Sequence, residues 1–109
     1  MKEKDLQKAV IQWLQYQENL GKLYFIRNNT FRGQIMRKNG TVGFMRQGKV
    51  GCGDIIIFMP ESRVIFAELK SDKGKLSLEQ NEFRNRIDEL GYEYWVIRSI
   101  DELEKIYDL

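Results

Sequence analysis

Histidine is absent from the 109-residue chain. That excludes a Ser-His-Asp triad, an HExxH zinc site and any nuclease chemistry built on a histidine base. Cysteine occurs once, at Cys52, which excludes an internal disulfide or a cysteine zinc cluster and fits a reducing cytoplasm. No run is long or apolar enough to span a membrane, and the opening MKEKDLQK is too charged for a signal peptide. The expected location is therefore the cytoplasm, with no membrane partner. No repeat, low-complexity segment or linker is visible. At 42% hydrophobic residues, residues 1–109 suit a single domain with one packed core.

Acidic residues are missing from Asn19 to Gly53, although they crowd both ends of the chain. Lys22, Arg27, Arg32, Arg37, Lys38, Arg46 and Lys49 all fall inside that stretch. The net charge of +2 argues for nothing by itself. A basic segment next to an acidic pocket, however, suits a polyanion held near a cation site, whereas the plainer alternative is a solvated basic loop.

Hydrophobic periodicity predicts a helix over residues 3–20, with Leu6, Val10, Trp13, Leu14 and Leu20 on one stripe and Gly21 as its stop. A strand is expected over 23–28. Asn39-Gly40 signals a hairpin between Gln34–Arg37 and Thr41–Met45. Strands over 54–59 and 63–70 are joined by a tight turn at Pro60-Glu61-Ser62. Ser77 and Gln80 form a capping box for a helix over 78–90 that buries Phe83, Ile87 and Leu90. A strand over 92–98 and a short helix capped by Ser99 complete the order α-β-(hairpin)-β-β-α-β-α. The fold class is thus α/β.

Within that order, Asp54 opens one apolar strand, while Glu68 and Lys70 close the next. A hairpin turning near Glu61 sets residue 54 opposite residue 68, with Cβ atoms roughly 4.5–5.5 Å apart. Two carboxylates that close require a positive neutraliser. Hard oxygen donors suit Mg²⁺ or Mn²⁺, and the carbonyl of Leu69 is a further candidate ligand. Lys70, on the same strand face as Glu68, would orient an attacking water or stabilise transition-state charge. Each feature alone is common on protein surfaces; their combination points to metal-assisted phosphodiester hydrolysis.

Other residues admit two readings. Gln80 is either only the capping partner of Ser77 or also leans toward the metal site. Glu3 suits the dipole of its helix whether or not it serves a site, and Glu18 competes as an additional acid. Gly48, Gly51 and Gly53 are not a P-loop, because no GK[ST] follows; they give a tight backbone path to Asp54. Trp13 and Trp95 read as core, while Phe31 and Phe44 are better placed to meet DNA. Cys52 is assigned no role.

Gly51-Cys52-Gly53-Asp54, Ala67-Glu68-Leu69-Lys70 and Gly74-Lys75-Leu76-Ser77-Leu78-Glu79-Gln80 with Phe83 resemble the VRR-NUC domain of the PD-(D/E)xK nuclease superfamily. The run Glu3-Lys4-Asp5-Leu6-Gln7 is similar to that family's opening helix. The resemblance spans nearly the whole chain, as in small stand-alone phage-type members; the same domain ends the larger Fanconi-associated nucleases. It implies a restriction-endonuclease-like mixed sheet flanked by helices, Mg²⁺ or Mn²⁺ dependence, and endonuclease action by a homodimer on branched DNA such as Holliday junctions, in a bacterial or phage-infected cell. On it, Asp54 and Glu68 become metal ligands, Lys70 the catalytic lysine, Gln80 a supporting polar group and Glu3 the helix carboxylate. The residue before Asp54 is Gly53, where the superfamily name expects proline. A non-catalytic DNA-binding module and a nuclease subunit of a larger restriction or repair assembly are the rival expectations.

Overall fold

In the computed structural model, described over residues 2–28, 31–47 and 52–108 with backbone alone for 31–35 and 43–47, the core forms where the apolar stripes converge. Helix α1 (Glu3–Asn19) turns Leu6, Val10 and Leu14 inward, all fully buried. Burial of one such side chain is worth about 1.5–3 kcal/mol. Strand β1 (Tyr24–Arg27) follows. Strands β2 (Phe31–Met36) and β3 (Val42–Gln47) pair only with each other, as a separate antiparallel ribbon. Strands β4 (Ile55–Met59) and β5 (Arg63–Leu69), helix α2 (Leu78–Glu89), strand β6 (Glu93–Ile97) and helix α3 (Ile100–Asp108) complete the chain.

The main sheet has the order β1-β4-β5-β6. Its first three strands are antiparallel, whereas β5 and β6 run parallel, connected through α2. Side chains alternate across the strands. Ile55, Ile57, Ile65, Ala67 and Leu69 therefore share the face covered by α1 and α3, where Leu103 and Ile106 close the core. Trp13 joins this layer, edge-on to Tyr107 with ring centroids 5.1 Å apart. Phe66 and Tyr94 lie on the other face, where Phe83 of α2 meets them at 5.5 and 6.0 Å. The expected element order and mixed sheet are what the chain forms.

The periodicity misjudged two helix ends. Leu20 and Leu90 are C-cap residues, 52% and 71% exposed, because the chain leaves the helix there and turns them off the packed stripe. No residue of α2 is fully buried; Phe83 and Ile87 are half-buried. An aromatic anchor and a capping box, not a deep apolar face, hold this helix. At the opposite sheet end from Asp54, Arg63 donates to both carboxylate oxygens of Glu93 at 2.6 and 2.8 Å and to the Ile106 carbonyl at 3.2 Å. That fork ties β5, β6 and α3 together.

The β4–β5 turn carries strain. Glu61 and Ser62 both hold left-handed backbone, with φ of 62° and 64°, a conformation that costs a side-chain-bearing residue roughly 1–2 kcal/mol. Ser62→Gly should raise unfolding stability by about 1 kcal/mol, read as a higher urea midpoint at unchanged slope. A lower midpoint would show that the turn is not strained.

Candidate active site

Backbone bonds hold the two carboxylates together. The Asp54 N–H donates to the Ala67 carbonyl at 2.9 Å, and the Asp54 carbonyl accepts the Asn28 N–H at 2.8 Å. Asn28 Nδ2 also donates to the Gly53 carbonyl at 3.2 Å. The β4–β5 ladder ends at Ile55 and Ala67; just beyond it Asp54 bonds the backbone on either side of Glu68, through its N–H to the Ala67 carbonyl and its side chain to the Leu69 N–H. Gly53 approaches β5 closely at φ +102°; a Cβ there would lie 2.9 Å from the Ala67 oxygen. Proline, locked near φ −65°, cannot take that backbone, which explains glycine at this position.

The carboxylates themselves are held differently. Asp54 Oδ2 accepts the Leu69 N–H at 2.9 Å. Glu68 is 5% exposed, a charge-bearing group inside the protein. Its Oε1 accepts from Gln80 Nε2 at 2.7 Å and lies 3.5 Å from Lys70 Nζ. Burial, and then the neighbouring Asp54 charge, push the Glu68 carboxyl up to about 7, against the opposing pull of Lys70 and Gln80. Tyr94, buried on the same face, has its hydroxyl pKa raised by burial and by the charges of Glu68, Asp54 and Cys52.

Gln80 resolves its two readings by doing both. Its Oε1 accepts the Ser77 N–H at 2.8 Å and its own N–H donates to Ser77 Oγ at 3.1 Å, closing the capping box. Its Nε2 is then free to reach Glu68. Between Lys70 and Ser77 the chain folds back over the lysine stem: a Cβ on Gly74 would lie 3.3 Å from Lys70 Cδ. Arg98 pins this loop. Its Nη1 donates to the carbonyls of Ser71 and Gly74, each at 2.7 Å, and approaches that of Asp72 at 3.5 Å.

The other expected site residues make no contact with the Asp54 or Glu68 carboxylates among the described side-chain bonds. Glu3 is exposed in the first turn of α1, and no group of three acidic or cysteine side chains gathers as a metal cluster among the described residues. Glu18 Oε1 accepts the Phe25 N–H at 3.2 Å, a helix-to-strand tie. Lys22, Arg27, Arg37 and Lys38 are exposed. Only the backbone is described for Phe31, Arg32, Phe44 and Arg46, and Gly48, Lys49 and Gly51 lie outside the described residues. Sequence reasoning overlooked Arg98, along with Lys4 and Lys8, which line an open groove of about 450 Å³ with Arg27. Arg27 pairs with Ile55, so this groove sits at the Asp54 end of the sheet. The spacing of Lys4 and Lys8 on one helical face was the available signal.

Two opposed carboxylates, one of them buried, form a hard-oxygen donor pair that suits a divalent cation, leaving further positions to water and phosphate oxygens. The family model of the VRR-NUC domain matches residues 1–101. A solved structure described as a VRR_NUC domain is similar at 18% identity with a TM-score of 0.64, over 99% of this chain and 96% of that one. No curated protein matches the chain. No helix among the described residues is long and apolar enough to cross a membrane.

Two outcomes follow from these contacts. Glu68 binds its proton more tightly in the fold than in the unfolded chain, where its value is near 4.5. Its penalty is therefore absent below about 4.5 and complete above about 7. In chelator, the stability of Glu68→Gln relative to the unsubstituted chain should rise across that interval by on the order of 3 kcal/mol. A flat difference would mean that Glu68 ionises freely. Separately, Arg98→Ala should speed amide hydrogen exchange at Ser71 to Gly74 with little change in the thermal midpoint; unchanged exchange would dismiss the clamp.

Proposed function

The chain belongs to the VRR-NUC family of nuclease-type domains, and from that premise we propose that it is a metal-dependent DNA endonuclease acting as a homodimer on branched DNA such as four-way junctions. The observation that carries the reading is the buried Glu68 beside Asp54, which bonds the backbone of Ala67 and Leu69 on either side of it, with Lys70 and Gln80 on the same Glu68 carboxylate. Burial first, and then repulsion from Asp54, keeps Glu68 half-protonated near neutral pH. Binding of a cation would relieve that repulsion. The homodimer and the preference for branched DNA rest on the family resemblance.

Asp54, Glu68 and the Leu69 carbonyl would hold Mg²⁺ or Mn²⁺, which supplies Lewis acidity toward a phosphoryl oxygen and acidifies water. The Leu69 N–H fixes one oxygen of Asp54, leaving the other to face the metal. Gln80 fixes the Glu68 carboxylate so that neither ligand must reorganise during the reaction. Lys70, only 17% exposed, directs its ammonium into the site, where it orients the attacking water and stabilises charge growing on the phosphoryl group. Glu3 would serve as an outlying acid reached through water. Lys22, Arg27, Arg32, Arg37, Lys38, Arg46 and Lys49 would meet phosphates, joined by Lys4 and Lys8 in the groove beside Arg27.

Mn²⁺ should raise the thermal midpoint of the chain at pH 8 but not that of Asp54→Asn, and Asp54→Asn should cut no DNA above background. Lys70→Ala should retain the Mn²⁺ shift while losing on the order of 10²–10³ in kcat. Cleavage by Asp54→Asn at the original rate would sink the enzyme reading. Equal cutting of four-way junctions and linear duplex, or a monomeric solution mass, would sink the branched-DNA or dimer component.

A further inference from the structure

The β2–β3 ribbon ends in an apolar pair that nothing in the fold requires. Met36 and Val42 are register partners at its tip, 79% and 59% exposed. Between them the turn is tied internally: Arg37 N–H donates to the Thr41 carbonyl at 2.8 Å, and Gly40 N–H to the Arg37 carbonyl at 2.9 Å. Asn39 Oδ1 accepts from both the N–H and the hydroxyl of Thr41, at 3.1 and 2.6 Å. The tip is therefore shaped in advance. Arg37 and Lys38 stand exposed within it. Lower on the ribbon, the register sets Arg32 opposite Arg46.

These features together choose an occupant. The ribbon belongs to a stretch without a single acidic residue, so its counterpart is a polyanion. Phosphates would satisfy Arg37, Lys38 and the Arg32–Arg46 pair but offer nothing to Met36 and Val42. A base step does: apolar side chains on architectural proteins wedge between bases and unstack them. A two-stranded ribbon also fits a DNA groove. Unstacking an intact step costs a few kcal/mol, which is avoided where stacking is already broken.

We propose that the β2–β3 tip is a DNA wedge: Met36 and Val42 insert at a base step whose stacking is interrupted by a nick, flap or junction, while Arg37 and Lys38 hold the flanking phosphates. The idea rests on DNA being the substrate and names the feature recognised. It adds a recognition element remote in sequence from Asp54 and Glu68.

The test uses the full chain in chelator, so that binding is read without cutting. The probes are a nicked duplex carrying 2-aminopurine at the nick and the same duplex intact. The unsubstituted chain should bind the nicked DNA about 10-fold more tightly and brighten the 2-aminopurine, as unstacking requires. Met36→Ser/Val42→Ser, at exposed positions, should keep its thermal midpoint but lose that preference and the brightening. Arg37→Ala/Lys38→Ala should weaken binding to both DNAs alike and flatten the salt dependence by about two units of slope. An unaltered preference in the serine variant overturns the wedge. So does a fall in its solution mass from dimer to monomer with DNA binding intact, which would assign the tip to a second copy. Failure of the unsubstituted chain to cut in Mn²⁺ would count against the nuclease reading alone, because the binding comparison is made without metal.

Discussion

A carboxylate kept out of water governs the Asp54 end of the main sheet. Glu68 lies between a second carboxylate and two groups that oppose its protonation, and the surrounding backbone exists to maintain that balance. Bonds from Asp54 to the backbone of Ala67 and Leu69 bring its carboxylate beside Glu68. The close approach of Gly53 to Ala67 lets the chain lie against β5 beyond the end of β4. The loop from Ser71 to Gly74, pinned by Arg98, returns the chain in time for α2 to present Gln80. A slip of one residue would send Glu68 to the apolar face among Ile65, Ala67 and Leu69.

Much of this arrangement was legible in the residues. Element order followed from periodicity and punctuation, and the hairpin at Pro60 brought Asp54 and Glu68 near each other as expected, although the paired ladder stops at Ile55 and Ala67. The VRR-NUC family model covers the same stretch. What stayed hidden depends on distance in space between segments far apart in sequence. Arg98 reaches carbonyls 24 to 27 positions earlier, and no spacing rule announces such a contact. Leu20 and Leu90 continued their helical stripes on paper, but periodicity carries no information about where a stripe runs beyond the surface it packs against. Gln80 could not be decided because both its roles use the same residue type at the same place.

The body and the ribbon are built on different principles. In the body, apolar layers on one sheet face and aromatic contacts on the other hold four strands against three helices. The ribbon is a two-stranded sheet of its own, specified by its turn chemistry and by cross-strand register. Paired strands with little buried area are marginal alone, so the internal bonding of residues 37–41 gives the tip a shape that packing does not. The carboxylate pair and the ribbon tip thus stand on separate sheets, which can vary independently.

The shared use of Gln80 limits which sequences this domain can explore. At the third position of a helix, glutamate and glutamine are ordinarily interchangeable partners in a capping box, and a carboxylate there even suits the helix dipole. Here the side chain must also donate a hydrogen bond to Glu68. Glutamate would retain the cap while presenting a third negative charge to an already crowded acid. A substitution that is conservative by every local rule of helix formation is thus disfavoured by the neighbouring strand, and α2 cannot be optimised for stability without regard to Glu68.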